Sequence, residues 1–139
     1  MRKKLFALGL ALFLIIGFFS GCQEKKIEAA SFKGIILVSD VVELVNGTIN
    51  YHYNSFNEVW KVDIQYLFHN IAKRDIYIQV TIECYDENDN LITILGPKFI
   101  QLPNDYTETE IHPNINIVSY DGKNAYMIDH VSIIALENR

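Results

Sequence analysis

The sequence predicts an all-β domain, a β-sandwich of about seven to nine antiparallel strands, behind an N-terminal export signal. Three observations carry this. Apolar residues alternate with polar ones at period two in long stretches, turn-forming residues punctuate them at short intervals, and no stretch carries a helical apolar stripe. Many short strands with frequent turns suit a sandwich, with a small barrel as the alternative. At 139 residues the chain has room for one such domain.

Residues 1–21 have the layout of a secretory signal. Met1-Arg2-Lys3-Lys4 is a positive start, Leu5 to Phe19 is apolar apart from two glycines, and Ser20-Gly21 places small residues directly before Cys22. A membrane span needs about 20 apolar residues, and this run is shorter, so an uncleaved signal anchor is the alternative to cleavage. Phe19-Ser20-Gly21-Cys22 resembles the lipobox of bacterial and archaeal lipoproteins, with Phe where Leu is commoner. The resemblance implies lipid attachment at Cys22, cleavage before it, and a domain outside the cytoplasm anchored to the cell membrane. Two acyl chains hold stably where one holds marginally, because each buried methylene contributes about 0.8 kcal/mol. Residues 22–30 are the lipidated N-terminus and a charged tether, whose Gln23 to Ala30 portion reaches at most roughly 28 Å when extended.

The sandwich is expected over residues 31–139, with β pattern from Phe32 onward. Asn46-Gly47 falls between Val41–Val45 and Thr48–Tyr53 and predicts a two-residue hairpin. Trp60, Val62, Ile64, Tyr66 and Phe68 form one apolar face, and Ile76, Ile78, Val80, Ile82 and Cys84 another, joined by the short segment Asn70 to Asp75. Asp86 to Asn90 is a polar loop before Leu91–Leu95. Gly96-Pro97 then punctuates the chain before Lys98–Leu102. Thr107–Ile111, Ile115–Tyr120 and Ala125–Leu136 read as the last strands, with a turn at Asp121-Gly122.

Charge narrows the partners. Cleavage removes three of 12 basic residues and none of 17 acidic ones, leaving a net charge of −8. A domain this acidic is unsuited to nucleic acid, and anionic headgroups repel it, so lipid and not a basic patch must supply attachment. With Cys22 acylated, Cys84 is the one remaining cysteine and no internal disulfide can form.

The segment Ile82-Glu83-Cys84-Tyr85-Asp86, with the turn Glu87-Asn88-Asp89-Asn90 and the apolar Leu91-Ile92 after it, resembles the FxLYD domain. That family is an immunoglobulin-like module of prokaryotic membrane lipoproteins, whose motif runs Phe, any residue, Leu, Tyr, Asp before a polar turn. Ile82 and Cys84 stand here for Phe and Leu. The strand ending at His69-Asn70 and the element Ile100 to Asn104 extend the resemblance over Val62 to Leu136. Phe32 to Tyr53 lies outside it, as an added hairpin or edge strand. The resemblance implies an immunoglobulin-like fold and an extracytoplasmic location, and brings no common catalytic residues.

Chemistry-bearing motifs are few. Asp86-Glu87-Asn88-Asp89-Asn90 imitates the start of a calcium loop, but Leu91 occupies the glycine position and Pro97 the bidentate glutamate position, so it reads as a turn. His52, His69, His112 and His130 show no ligand spacing, and no metal or cofactor is expected. Cys84 alternates with buried residues and reads as an inert thiol. Glu108 and Glu110 share one face of a predicted strand, as a solvated face would. No nucleophile elbow, zinc helix or phosphate loop exists, so the chain is not expected to be an enzyme. Asn46-Gly47-Thr48 matches the glycosylation pattern and makes Asn46 a candidate acceptor. The leading expectation is a non-catalytic, lipid-anchored interaction or structural module of the cell envelope, holding an envelope or surface protein partner. Tyr51, Tyr53, Phe56 and Trp60 are its candidate contact aromatics, provided that Trp60 and Tyr53 are exposed. The alternative is a surface lipoprotein that binds a small ligand or metal.

Overall fold

The computed structural model describes residues 32–139, so the signal (1–21), Cys22, the tether (22–30) and Ser31 lie outside the described residues. Among the described residues, seven strands form two packed sheets. They are β1 (Ile35–Val38), β2 (Val42–Tyr53), β3 (Val59–Asn70), β4 (Ile76–Tyr85), β5 (Leu91–Leu102), β6 (Ile117–Tyr120) and β7 (His130–Glu137). The four-stranded sheet has the order β1-β7-β4-β5, and the three-stranded sheet β2-β3-β6. This is a β-sandwich, as the alternation of apolar residues predicts.

Period two explains which side chains meet. Val62, Ile64, Tyr66 and Phe68 of β3 point inward against Ile78, Val80, Ile82 and Cys84 of β4, with Val131, Ile133 and Ala135 of β7 completing the core. All are almost fully buried, and each large one contributes about 1.5–3 kcal/mol by leaving water. Trp60 departs from the expected face. The register of β2 on β3 slips between His52 and Tyr53, and Trp60 turns out to solvent at 49% exposure.

Two predicted turns are bulges inside continuous strands. Asn46-Gly47 does not make a hairpin, because the β2–β3 register merely shifts between Leu44 and Asn46 and β2 runs on to Tyr53. A Cβ on Gly47 would stand 3.0 Å from Ile35 Cδ1 of the facing sheet, so glycine serves close approach here. Gly96-Pro97, joined by a cis peptide, likewise lies within β5, where the register against β4 shifts between Val80 and Ile82. Gly96 has φ +99°, and a Cβ there would stand 2.8 Å from the Val80 carbonyl oxygen.

Three further expectations change. Thr107–Ile111 is not a strand and keeps only a single bridge, Thr107 to His69. The run Ala125–Leu136 begins with a 3-10 turn at Ala125–Met127, and the strand starts at His130. The pairing is not wholly antiparallel, since β1 lies parallel to β7. Parallel neighbours need a long connection, and here nearly the whole domain supplies it.

Candidate interaction surface

The outer faces of the two sheets differ in chemistry. On the four-stranded sheet, register puts Val38, Ile134 and Thr81 in one outward row, Leu136, Gln79 and Phe99 in the next, and Ile36, Ser132, Glu83 and Ile94 in another. Ile36, Val38, Leu136, Tyr77, Phe99 and Ile94 are each 46–54% exposed. Tyr77 and Phe99 stack at 5.8 Å between ring centroids. Glu83 brings the carboxylate of this face, and it accepts the Tyr85 hydroxyl. Single exposed apolar residues are ordinary, but here six such residues come from all four strands of one face, with Thr81, Gln79, Ser132 and Glu83 set between them.

The outer face of the three-stranded sheet is polar. His52 Nε2 lies 2.7 Å from Asp63, which also accepts the Ser119 hydroxyl at 2.5 Å. Partial desolvation pushes the Asp63 carboxyl up, but hydrogen bonds from Ser119 and His52 and the Lys61 charge outweigh it and hold it below its ordinary value. Because Asp63 stands between the other two, Ser119 donates to a carboxylate and not to an imidazole that could activate it. His69 is bracketed, with Nδ1 2.6 Å from Glu43 and Nε2 2.9 Å from Asp105. Those two hydrogen bonds, Glu43 first, raise its pKa. His130 is bracketed in the same way by Asp129 and Asp89, each at 2.9 Å. The fourth, His112, sits in the loop before β6, where its N–H donates to Asn116 Oδ1. The structure does not bring the four histidines together, and no group of three His, Cys, Asp or Glu among the described residues could hold a metal ion.

Glu108 and Glu110 part company. Glu110 is exposed, but Glu108 is 5% exposed and closes the edge of β3. Its carboxylate accepts the Phe68 N–H at 3.0 Å and the Asn116 amide at 2.6 Å, while its own N–H donates to the Phe68 carbonyl. The Tyr66 hydroxyl donates to the Ile115 carbonyl, and burial followed by the Glu108 charge raises its pKa. These groups are satisfied within the fold, as buried polar groups must be. Cys84 is fully buried, and burial pushes its thiol up to about 12.

The segment from Ile82 to Asp86 ends β4 with Ile82 and Cys84 inward and Glu83 and Tyr85 outward. Asp86 accepts the backbone N–H groups of Asn90 and Asn88, and these bonds, Asn90 first, hold its carboxyl below the ordinary range. The turn is thus closed on itself. Beside it lies an open cavity of about 370 Å3 lined by Asp86, Glu87, Asn88, Tyr126, Met127, Ile128 and Asp129. Asn46, the candidate glycan acceptor, is exposed on β2 and not in a turn.

One end of the sandwich carries a second group of exposed aromatics. Tyr53, Phe56, Trp60 and Tyr126 are 59%, 81%, 49% and 64% exposed, so the condition on Trp60 and Tyr53 is met. The β2–β3 turn that presents Phe56 is well built, since Asn54 Oδ1 accepts the N–H groups of Phe56 and Glu58 at 2.9 and 3.0 Å. Lys61 Nζ lies 5.8 Å from the Trp60 ring centroid. Tyr51, by contrast, packs against the core and donates to the Ile128 carbonyl.

The apolar outer face has a signal in the sequence. Ile35-Ile36-Leu37-Val38 and Ile133-Ile134-Ala135-Leu136 are uninterrupted apolar runs, which mark strands apolar on both faces. No family model matches the chain, and no curated protein matches it either. Among solved structures, the crystal structure of Campylobacter jejuni cj0090 is similar over 77% of this chain and 100% of that chain, with a TM-score of 0.47 and 7% sequence identity.

Proposed function

We propose that this chain is a lipid-anchored, extracytoplasmic module of the cell envelope, FxLYD-like in its β4–β5 segment, that holds a protein partner and catalyses no reaction. The observation that carries this is the set of half-exposed apolar side chains Ile36, Val38, Leu136, Phe99 and Tyr77, contributed by all four strands to the outer face of the four-stranded sheet. Covering those side chains removes apolar area from water at about 25 cal/mol per Å2, and the three outward rows that hold most of them carry only the Glu83 carboxylate to desolvate. The lipobox-like Phe19-Ser20-Gly21-Cys22 supports the anchor.

Cross-linking on intact native cells tests the reading, using the lipidated chain, its Phe99→Lys and Leu136→Lys variants, and Thr48→Lys on the polar face as control. All three positions are solvent-facing, so the fold survives. A reproducible partner is expected with the parent and with Thr48→Lys, and is lost with the other two. Recovery of no reproducible partner, or equal capture by every variant, overturns the proposal.

A further inference from the structure

We infer that the aromatic end of the sandwich rests in the headgroup boundary of the bilayer, with Phe56 and Trp60 in contact with lipid. The inference builds on the reading of Cys22 as the lipid anchor and adds how the domain is oriented on its membrane.

The first support is where the described chain begins. Gly34 packs beside Asp129 and its carbonyl accepts the Val131 N–H, so residues 32–34 lie against the segment just before β7. In that segment Ile128 takes the Tyr51 hydroxyl. Tyr126, two residues earlier, lines one groove of about 560 Å3 with Asn57, Glu58 and Val59 of the β2–β3 turn and with Lys123. The tether therefore leaves the domain at the end that carries Tyr53, Phe56, Trp60 and Tyr126. Gln23 to Ala30 spans at most roughly 28 Å, which keeps that end close to the bilayer.

The second support is chemistry. Trp and Tyr combine an apolar ring with a polar tip and concentrate where hydrocarbon meets headgroups. Phe56, at 81% exposure, buries almost nothing within the fold, although its turn is held by five hydrogen bonds within Asn54–Glu58. Lys61 lies beside Trp60 and Lys123 shares the groove with Tyr126, and their long stems can leave the ammonium groups at the phosphates. Glu58, Glu87 and Asp129 share this end, so charge alone does not bind it to an anionic surface. The acyl anchor removes the need for that, because it makes the contact intramolecular and raises its effective concentration. The outer face of the four-stranded sheet remains available for a partner.

Trp60 is the chain's one tryptophan and reports directly. The native lipidated protein is reconstituted in phosphatidylcholine vesicles with and without doxyl-labelled lipid and compared with the mature chain carrying Cys22→Ser in buffer. Trp60 emission is expected to move to shorter wavelength on the vesicles, to be quenched by the doxyl lipid and to be protected from acrylamide. Phe56→Ser is expected to weaken doxyl quenching while flotation with vesicles stays unchanged. A protein that floats with the vesicles, with Trp60 untouched by doxyl lipid and as open to acrylamide as in buffer, overturns the contact and leaves the anchor standing. Shielding of Trp60 only after a cell-envelope protein is added also overturns it, by assigning this end to a protein. Failure of the native protein to float removes the anchor, and the contact with it.

Discussion

Glu108 offers the sharpest test of how the fold is closed. Beyond β6, the edge of β3 is covered by an irregular segment, and Glu108 stands in for a strand there. It accepts the Phe68 N–H and the Asn116 amide from a position that is 5% exposed. Hydrogen bonds to a charged group contribute about 1.5–3 kcal/mol each, and their buried partners lose more when left unpaired. Glu108→Ala is therefore expected to cost about 3–5 kcal/mol. Glu108→Gln keeps the shape, but whichever way its amide turns, an N–H group faces either Phe68 N or Asn116 Nδ2. Asn116 cannot flip to help, because its Oδ1 already accepts the His112 N–H at 3.0 Å. One bond and the charge assistance go, an expected loss of about 2 kcal/mol. Urea unfolding of the mature chain carrying Cys22→Ser, followed by Trp60 fluorescence, gives the assay. With a slope of about 1–3 kcal/mol per molar, the alanine variant moves the midpoint by about 2 M. An alanine variant within about 1 kcal/mol of the parent, or a glutamine variant no less stable than the parent, refutes the reasoning.

Two further outcomes follow from the titrating groups. The His69 pKa is raised by Glu43 and Asp105, so its stabilising contribution is complete below the unfolded value near 6.5 and is lost as pH rises through the higher folded value. His69→Gln should accordingly destabilise the domain more at pH 5 than at pH 9 in paired urea titrations, and equal losses at both pH values contradict the bracket. With its thiol pushed up to about 12 and its side chain fully buried, Cys84 should resist a thiol reagent at pH 8 in the folded chain and react at the rate of global opening. Rapid labelling without unfolding contradicts that burial.

The fold was legible where local pattern dictates it. The alternation in β3 and β4 announces two half-buried strands, and Asp86 to Asn90 announces a turn, because both depend on neighbours a few residues away. What stayed hidden depends on distance along the chain. Asn46-Gly47 and Gly96-Pro97 have the composition of turns, yet the long partners β3 and β4 carry β2 and β5 through them as bulges. Glu108 looks like a solvated carboxylate until Phe68, 40 residues earlier, lies against it. The parallel pairing of β1 with β7 joins the two ends of the domain, and no local signal announces it. The exposed apolar side chains of the outer face come from four strands, so each strand shows only one or two of them.

The intact mass of the protein purified from its native host tests the central claim most directly. The account predicts a chain that begins at position 22 with a diacylglyceryl group on the sulfur. A mass that starts at Met1, or an unmodified thiol at Cys22, contradicts it.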